Sequence, residues 1–224
     1  MKFLKSILAA ALIIPMISLS GCNNDDKDDP ILIYNAFVTY AGATGSTATF
    51  TTQEKDDSEI VTFTAEVNTA GLTKNDRYVI SYTTLSGKRF QSGPIELYQI
   101  LRPYQGDTKV ESLEKIKELN NATVTCSPGR TGYYINVPAG SEFMPKTFGL
   151  YLDEATTSNE LPDVYVVFEA DNSKPAQAGT YLGSFSFKNV MEQYNRRGIR
   201  LHYKENGIDK TMECRVTSAL TPAE

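Results

Sequence analysis

The stretch "IRLHYKENGIDKTMECRV", Ile199 to Val216, reads as a β-hairpin. Ile199, Leu201 and Tyr203 alternate with Arg200, His202 and Lys204, the period of a strand with one buried face. Asn206-Gly207 follows, two adjacent residues that tolerate positive φ, as a two-residue hairpin turn requires. The same period recurs upstream. It is seen in Val61, Phe63, Ala65 and Val67, in Tyr78, Ile80 and Tyr82, and in Ile95, Leu97 and Ile100-Leu101. It returns in Tyr133, Ile135 and Val137, in Phe148, Leu150 and Leu152, and in Tyr181, Gly183, Phe185 and Phe187. Val164 to Phe168 is continuously apolar and β-branched, as for a central strand covered on both faces. Turn-forming stretches such as "AGATGS", "SPGRTG" and "PAGSE" separate these runs. The chain is therefore expected to be all-β.

Helix is scarce. "VESLEKIKELNN", Val110 to Asn121, spaces Leu113 and Ile116 for a short amphipathic helix, with Thr108 and Glu111 as its capping box. "NVMEQYNRRG", Asn189 to Gly198, suggests a second short helix ending at Gly198. The first helix falls midway along the chain and reads as the join between two domains. Residues 31–104, with about five strands and long loops, suit a small OB-like β-barrel. Residues 105–120 form the linker. Residues 121–220, with about seven short strands, suit an immunoglobulin-like β-sandwich.

The N-terminus gives an address. Lys2 and Lys5 precede an apolar run from Ile7 to Ile17, the pattern of a signal peptide over residues 1–21. The run falls short of the ~20 apolar residues of a spanning helix. Its end, Leu19-Ser20-Gly21-Cys22, resembles the lipobox of bacterial lipoproteins, which implies cleavage before Cys22 and acylation, palmitate included, of that residue. The alternative is an ordinary secretory signal with an incidental cysteine. Residues 22–30 hold four aspartates and Lys27 before Pro30, an acidic tether with nothing to bury. Its like charge keeps it off an anionic membrane. Acidic residues just after a lipidated cysteine also resemble the surface-export signal of some Gram-negative lipoproteins. The expected location is the outer membrane, lipid-anchored and exposed at the cell surface.

Net charge is −5 over the whole chain. The leader takes two lysines and no acid, leaving −7, of which the tether carries −3. A folded part at about −4 is wrong for a nucleic-acid binder, which needs a basic face. Beyond Cys22 the only cysteines are Cys126 and Cys214. An oxidising compartment allows a bridge across a loop of about 90 residues, worth about 4 to 5 kcal/mol in the chain-entropy model. Two buried thiols, packing as small hydrophobes, are the other reading.

A lipoprotein leader, an acidic tether, a small β-domain and a β-sandwich, in this order and size, resemble the NigD-like lipoproteins. "NDRYVISYTTLSGK" (Asn75 to Lys88) is similar to a first-domain segment in which an arginine precedes an alternating apolar-tyrosine strand. "GYYINVPAG" (Gly132 to Gly140) is similar to the family's Gly-x-Tyr-Leu-Asn stretch, with Ile135 in place of leucine. "LPDVYVVFEADNS", "GTYLGSFSFKNV" and the hairpin above resemble its C-terminal strands. The family's acidic "DDG" turn is present only as "EKDDSE", and its tryptophans are absent. The resemblance implies an OB-like part, a sandwich and, as proposed for some members, a bacteriocin immunity role; it implies no catalytic residue.

The residues themselves offer little chemistry. His202 is the only histidine; it points away from Leu201 and Tyr203, on a face expected to be solvated. No Gly-x-Ser-x-Gly elbow accompanies it, and two cysteines without clustered histidine form no zinc site. No metal or cofactor is expected. Asp56-Asp57, Asp153-Glu154 and Glu160 are the only acids that stand out for a hydrolytic carboxylate pair, and all lie in turn-like segments. Thirteen tyrosines with ten phenylalanines leave Tyr104, Tyr133 and Tyr194 as candidate exposed contacts to a protein, peptide or sugar. The expected function is that of a non-enzymatic module binding a protein or peptide partner, the membrane being met through the lipid anchor. The alternative is a glycan-binding accessory of a surface nutrient-uptake system. Mass spectrometry of the membrane-extracted protein is expected to find an acylated N-terminal Cys22. Cys22→Ala should leave the protein in the soluble fraction.

Overall fold

The structure is a computed structural model that describes residues 31–53, 59–84, 90–120 and 124–216. Cys22, the tether and Asp56-Asp57 lie outside the described residues. The fold is all-β with two short helices among the described residues. Strands β1 (Leu32–Thr44), β2 (Thr47–Thr52), β3 (Val61–Glu66), β4 (Arg77–Thr84) and β5 (Gly93–Leu101) close a barrel in the order β1-β2-β3-β5-β4. Its alternating residues point inward as the period demands. Val38, Phe50, Phe63, Ile80 and Tyr82 fill it, the rings of Phe63 and Tyr82 lying 4.8 Å apart.

Ten further strands form two sheets. They are β6 (Tyr104–Asp107), β7 (Lys109–Glu111), β8 (Thr125–Cys126), β9 (Gly129–Thr131), β10 (Tyr134–Ser141), β11 (Pro145–Asp153), β12 (Asp163–Ala170), β13 (Gly179–Ser186), β14 (Gly198–Glu205) and β15 (Ile208–Arg215). One sheet runs β6-β13-β10-β8, with β9 also on β10; the other runs β15-β14-β12-β11-β7. Their inner faces share one core, in which Ile135, Val137 and Phe185 meet Leu150, Val164, Phe168 and Leu201. This is a β-sandwich with three parallel pairings, β6 on β13, β7 on β11 and β14 on β12. Gly183 sits where this core is tightest. A Cβ there would come within 2.4 Å of the Phe185 ring, and glycine alone fits. The apolar run at Val164 is central, as expected: β12 lies between β11 and β14. The hairpin turn also forms as expected, with φ of 52° at Asn206 and 77° at Gly207.

The segment between barrel and sandwich is built into the sheets. Two of the three parallel strands, β6 and β7, come from it. Helix α1 (Leu113–Leu119) follows and presses Ile116 on Tyr151 and Val167, covering the outer face of β12. Its cap is Ser112, whose Oγ accepts the Lys115 N–H at 3.3 Å. The Thr108–Glu111 box is not used. Thr108 is buried and donates its hydroxyl to the Ser186 carbonyl at 2.8 Å, held there by the β6–β13 pairing. Helix α2 (Lys188–Tyr194) ends earlier than Gly198, at Asn195, a left-handed cap with φ of 51°. Gly198 instead opens β14, where a Cβ would fall 2.5 Å from the Cys214 carbonyl oxygen.

Strand β4 breaks the half-buried pattern, because all eight of its residues are buried. One face lines the barrel, while Arg77, at the head of the other face, reaches into the sandwich. Its Nε donates to Ser184 Oγ at 3.0 Å, Nη1 to Thr39 Oγ1 at 2.9 Å and Nη2 to Asn136 Oδ1 at 3.3 Å. Its backbone N–H donates to Gln105 Oε1 at 2.9 Å, and the guanidinium lies 4.5 Å from the centre of the Tyr134 ring. Burial pulls its pKa down to about 10, so it remains charged at neutral pH. Removing it takes a donor from the buried Ser184 hydroxyl and from Thr39 Oγ1, at a cost of ~1–3 kcal/mol for each group that water cannot reach, while Asn136 Oδ1 keeps the bond from Ser184 Oγ. Arg77→Met is expected to lower stability by about 3 kcal/mol or more in urea unfolding. Arg77→Lys should recover less than half of that, since an ammonium lacks the planar fork.

Candidate functional site: a tyrosine groove on the barrel

Two irregularities in the barrel meet at one residue. On one side of β4, Ile33 pairs with Tyr82 and Ala36 with Ile80, so Tyr34 and Asn35 together oppose Ser81. Asn35 takes φ of 53° to make room. On the other side, Tyr82 pairs with Leu97 and Ser81 with Gln99, leaving Tyr98 as the extra residue. Each is a β-bulge, a device that bends the strand and re-aims a side chain. Here two bulges flank Ser81 and turn a tyrosine outward on either side of it.

The result is a groove of about 370 Å³ lined by Leu32, Tyr34, Ser81, Tyr98 and Gln99. Tyr34 is 55% exposed, Tyr98 58% and Leu32 44%, whereas Ser81 is buried. The walls are therefore apolar and aromatic. The polar groups are hydroxyls and one amide, and the lining contains no carboxylate, ammonium, guanidinium or imidazole. Such a surface stacks on flat apolar faces and exchanges neutral hydrogen bonds.

The barrel, the sandwich and their order have counterparts among solved structures. The chain shares the fold of a NigD-like immunity protein. That protein, from Bacteroides caccae ATCC 43185, superposes with a TM-score of 0.53 at 14% identity, over 86% of this chain and 99% of its own. A protein named as a lipoprotein, from Bacteroides fragilis NCTC 9343, gives 0.55 at 15% identity, over 85% and 99%. A DUF1344 protein of unknown function from Bacteroides vulgatus ATCC 8482 gives 0.60 at 16% identity, over 86% and 93%. No protein-family model matches the chain, and no curated protein matches it by sequence.

The tyrosines singled out from the sequence are not brought together. Tyr104 is on β6, its ring 5.6 Å from that of Phe148, and partial burial raises its phenol pKa. Tyr133 is half-buried, 6.1 Å from Phe187, and Tyr194 is half-buried against the sandwich core. Tyr133 and Tyr194 are therefore flanks of the core and not exposed contacts. Tyr34 and Tyr98 were missed, although the sequence carried a signal. The inward apolar residues step by three, not two, from Ile33 to Ala36 and from Leu97 to Ile100, and a slip in the strand period is how a bulge reads.

The remaining candidates are held in structural roles. His202 does not stand free in solvent: its Nε2 lies 2.7 Å from Asp163 Oδ1, and its ring stacks on Tyr165 at 4.4 Å and 14°. Arg200 reaches the same carboxylate oxygen at 3.5 Å. Asp153 is buried and accepts the Ala155 N–H at 3.1 Å, while Glu160 is exposed and paired with Arg215 at 2.6 Å, which lowers its pKa. No cluster of three metal-ligating side chains occurs among the described residues. No helix among them is long and apolar enough to cross a membrane.

Cys126 and Cys214 are buried thiols in the sandwich core, not a bridge. Burial pushes the Cys126 thiol from 9.0 up to about 11. At pH 8 a thiol reagent is expected to leave native Cys126 unmodified. Unfolding without reductant should then expose two reactive thiols, Cys126 and Cys214. The folded pKa lies above the unfolded one, so the thiol's contribution is intact below pH 9 and is lost as pH rises to about 11. Urea midpoints measured across that window should fall, and Cys126→Ala should remove this part of the fall.

Proposed function

We propose that this chain is a lipid-anchored, non-enzymatic envelope protein that binds a protein or peptide partner, with an immunity-like role. The observation that carries the reading is the pair of bulges that turns Tyr34 and Tyr98 outward over Ser81. A strand pair gives up ladder hydrogen bonds at each bulge, and here both losses serve the same uncharged groove. Exposed tyrosines around a small pocket are the anchors protein interfaces favour. The Cys22 leader supports an outer-membrane, surface-exposed address, and the fold shared with a NigD-like immunity protein supports the immunity-like role.

A second reading is a glycan-binding accessory of a surface nutrient-uptake system. The same groove favours it, since two rings beside Ser81 and Gln99 match the apolar face and hydroxyls of a sugar. The two readings separate experimentally. Pull-down from envelope extract should recover a specific polypeptide with the native protein. Tyr34→Ala and Tyr98→Ala should each weaken that binding by about 2 kcal/mol, roughly thirtyfold, while shifting folding stability by no more than about 0.5 kcal/mol. Hits on a glycan array that vanish with the same substitutions would favour the sugar. Binding indifferent to both tyrosines would remove the groove from either account.

A further inference from the structure

The groove lies where the tether enters the fold. Leu32 walls it and is the second residue after Pro30. Of the eight large apolar side chains most exposed among the described residues, Leu32, Tyr34 and Tyr98 line the groove, and Ile31 leads directly into it. Nine residues, Asn23 to Ile31, separate Leu32 from Cys22. Fully extended, they span about 30 Å. With Cys22 acylated, the groove therefore stays within about one tether length of the bilayer whichever way the protein turns.

The lining restricts what can enter. It holds no group of opposite charge, so a charged segment would exchange its hydration for neutral hydroxyls, one amide and ring faces. At about 370 Å³ the groove takes a few side chains and not a folded domain. It is concave, with a buried hydroxyl among its lining groups, a shape and polarity that a lipid surface does not match.

We propose that the groove takes an uncharged apolar or aromatic segment of a polypeptide embedded in the same membrane, so that the partner is met in cis at the bilayer surface. This deepens the function proposed above and rests on acylation of Cys22. A short leash is what makes such a contact efficient. Since groove and partner share one membrane, a longer tether dilutes the groove only along the membrane normal, roughly as the square root of its length, so adding about twenty Gly/Ser residues before Ile31 should weaken engagement about twofold. A groove meant for a diffusing ligand is indifferent to that insertion.

The full-length protein, with p-benzoylphenylalanine replacing Tyr98, is to be irradiated in intact cells of its native host. The same probe replacing Ile208, exposed in the β14–β15 hairpin, serves as the control. The expected result is an adduct with a polypeptide that resists carbonate extraction from the membrane, several-fold stronger at position 98 than at 208. It should be lost in Tyr34→Ala and weakened about twofold by the Gly/Ser insertion. Adducts with lipid alone or with soluble proteins alone, equal adducts at both positions, no adduct, or no effect of the insertion would each overturn the inference. Mass spectrometry of Cys22 in the same samples separates the two failures. A chain without acyl groups sinks the anchor reading and this inference with it. An acylated chain with a failed crosslink sinks the inference alone.

Discussion

Arg77 is a buried cation whose guanidinium donates to neutral partners, two hydroxyls and one amide, with the Tyr134 ring alongside, while its backbone N–H donates to the Gln105 amide. A charge taken out of water is tolerated only where its donors are satisfied, and a planar guanidinium satisfies several at once. The partners come from three places. Thr39 belongs to the barrel, Gln105 to the strand that leaves it, and Asn136, Ser184 and Tyr134 to the sandwich. Asn136 and Ser184 alternate with the core residues Ile135, Val137 and Phe185, and so point out of the sandwich. The arginine therefore fixes the back of one β-structure to the outer face of another. Without it, Asn136 would keep its bonds with Ser184 and Thr131, but the buried Ser184 hydroxyl would lose its donor and the tie to Thr39 would be gone.

This arrangement explains why β4 is buried on both faces and why the groove lies where it does. Arg77, Val79 and Ser81 share one face of β4 by the period of two. Arg77 is spent on the sandwich. Ser81, four residues on and about 13 Å away along the strand, is shared by two bulges. With β4 held by its neighbours, the irregularity falls on β1 and β5, which supply the extra residues. The lining of the groove is thus rooted in the most enclosed strand of the barrel, while its aromatic walls are free to meet solvent.

The connection between the two parts is held just as firmly. β6 and β7 are short, yet each adds a parallel edge to a different sheet, and α1 closes over β12. Asn120, at the end of α1, accepts the Phe168 N–H at 3.2 Å, tying the helix end to the central strand. A segment whose composition suggests a linker becomes part of both sheets because parallel pairing brings in partners distant in sequence.

What the sequence determined by itself was set by local periodicity. Alternation located the strands. Asn206-Gly207 fixed a hairpin because both residues accept the required φ. The apolar run at Val164 marked a strand covered on both faces. Even the slips at Ile33–Ala36 and Leu97–Ile100 were written in the chain. What only the tertiary structure decided was which distant residues became neighbours. A slip becomes a bulge only against a partner of fixed register, and two slips make a groove only because β1 and β5 flank the same serine. Thr108 lost its capping role to Ser112 because a sheet claimed its hydroxyl. Tyr133 and Tyr194 were covered by the core while Tyr34 and Tyr98 were left open. Exposure depends on what packs over a side chain, and the periods of a sequence carry the face a residue points to but not what that face meets.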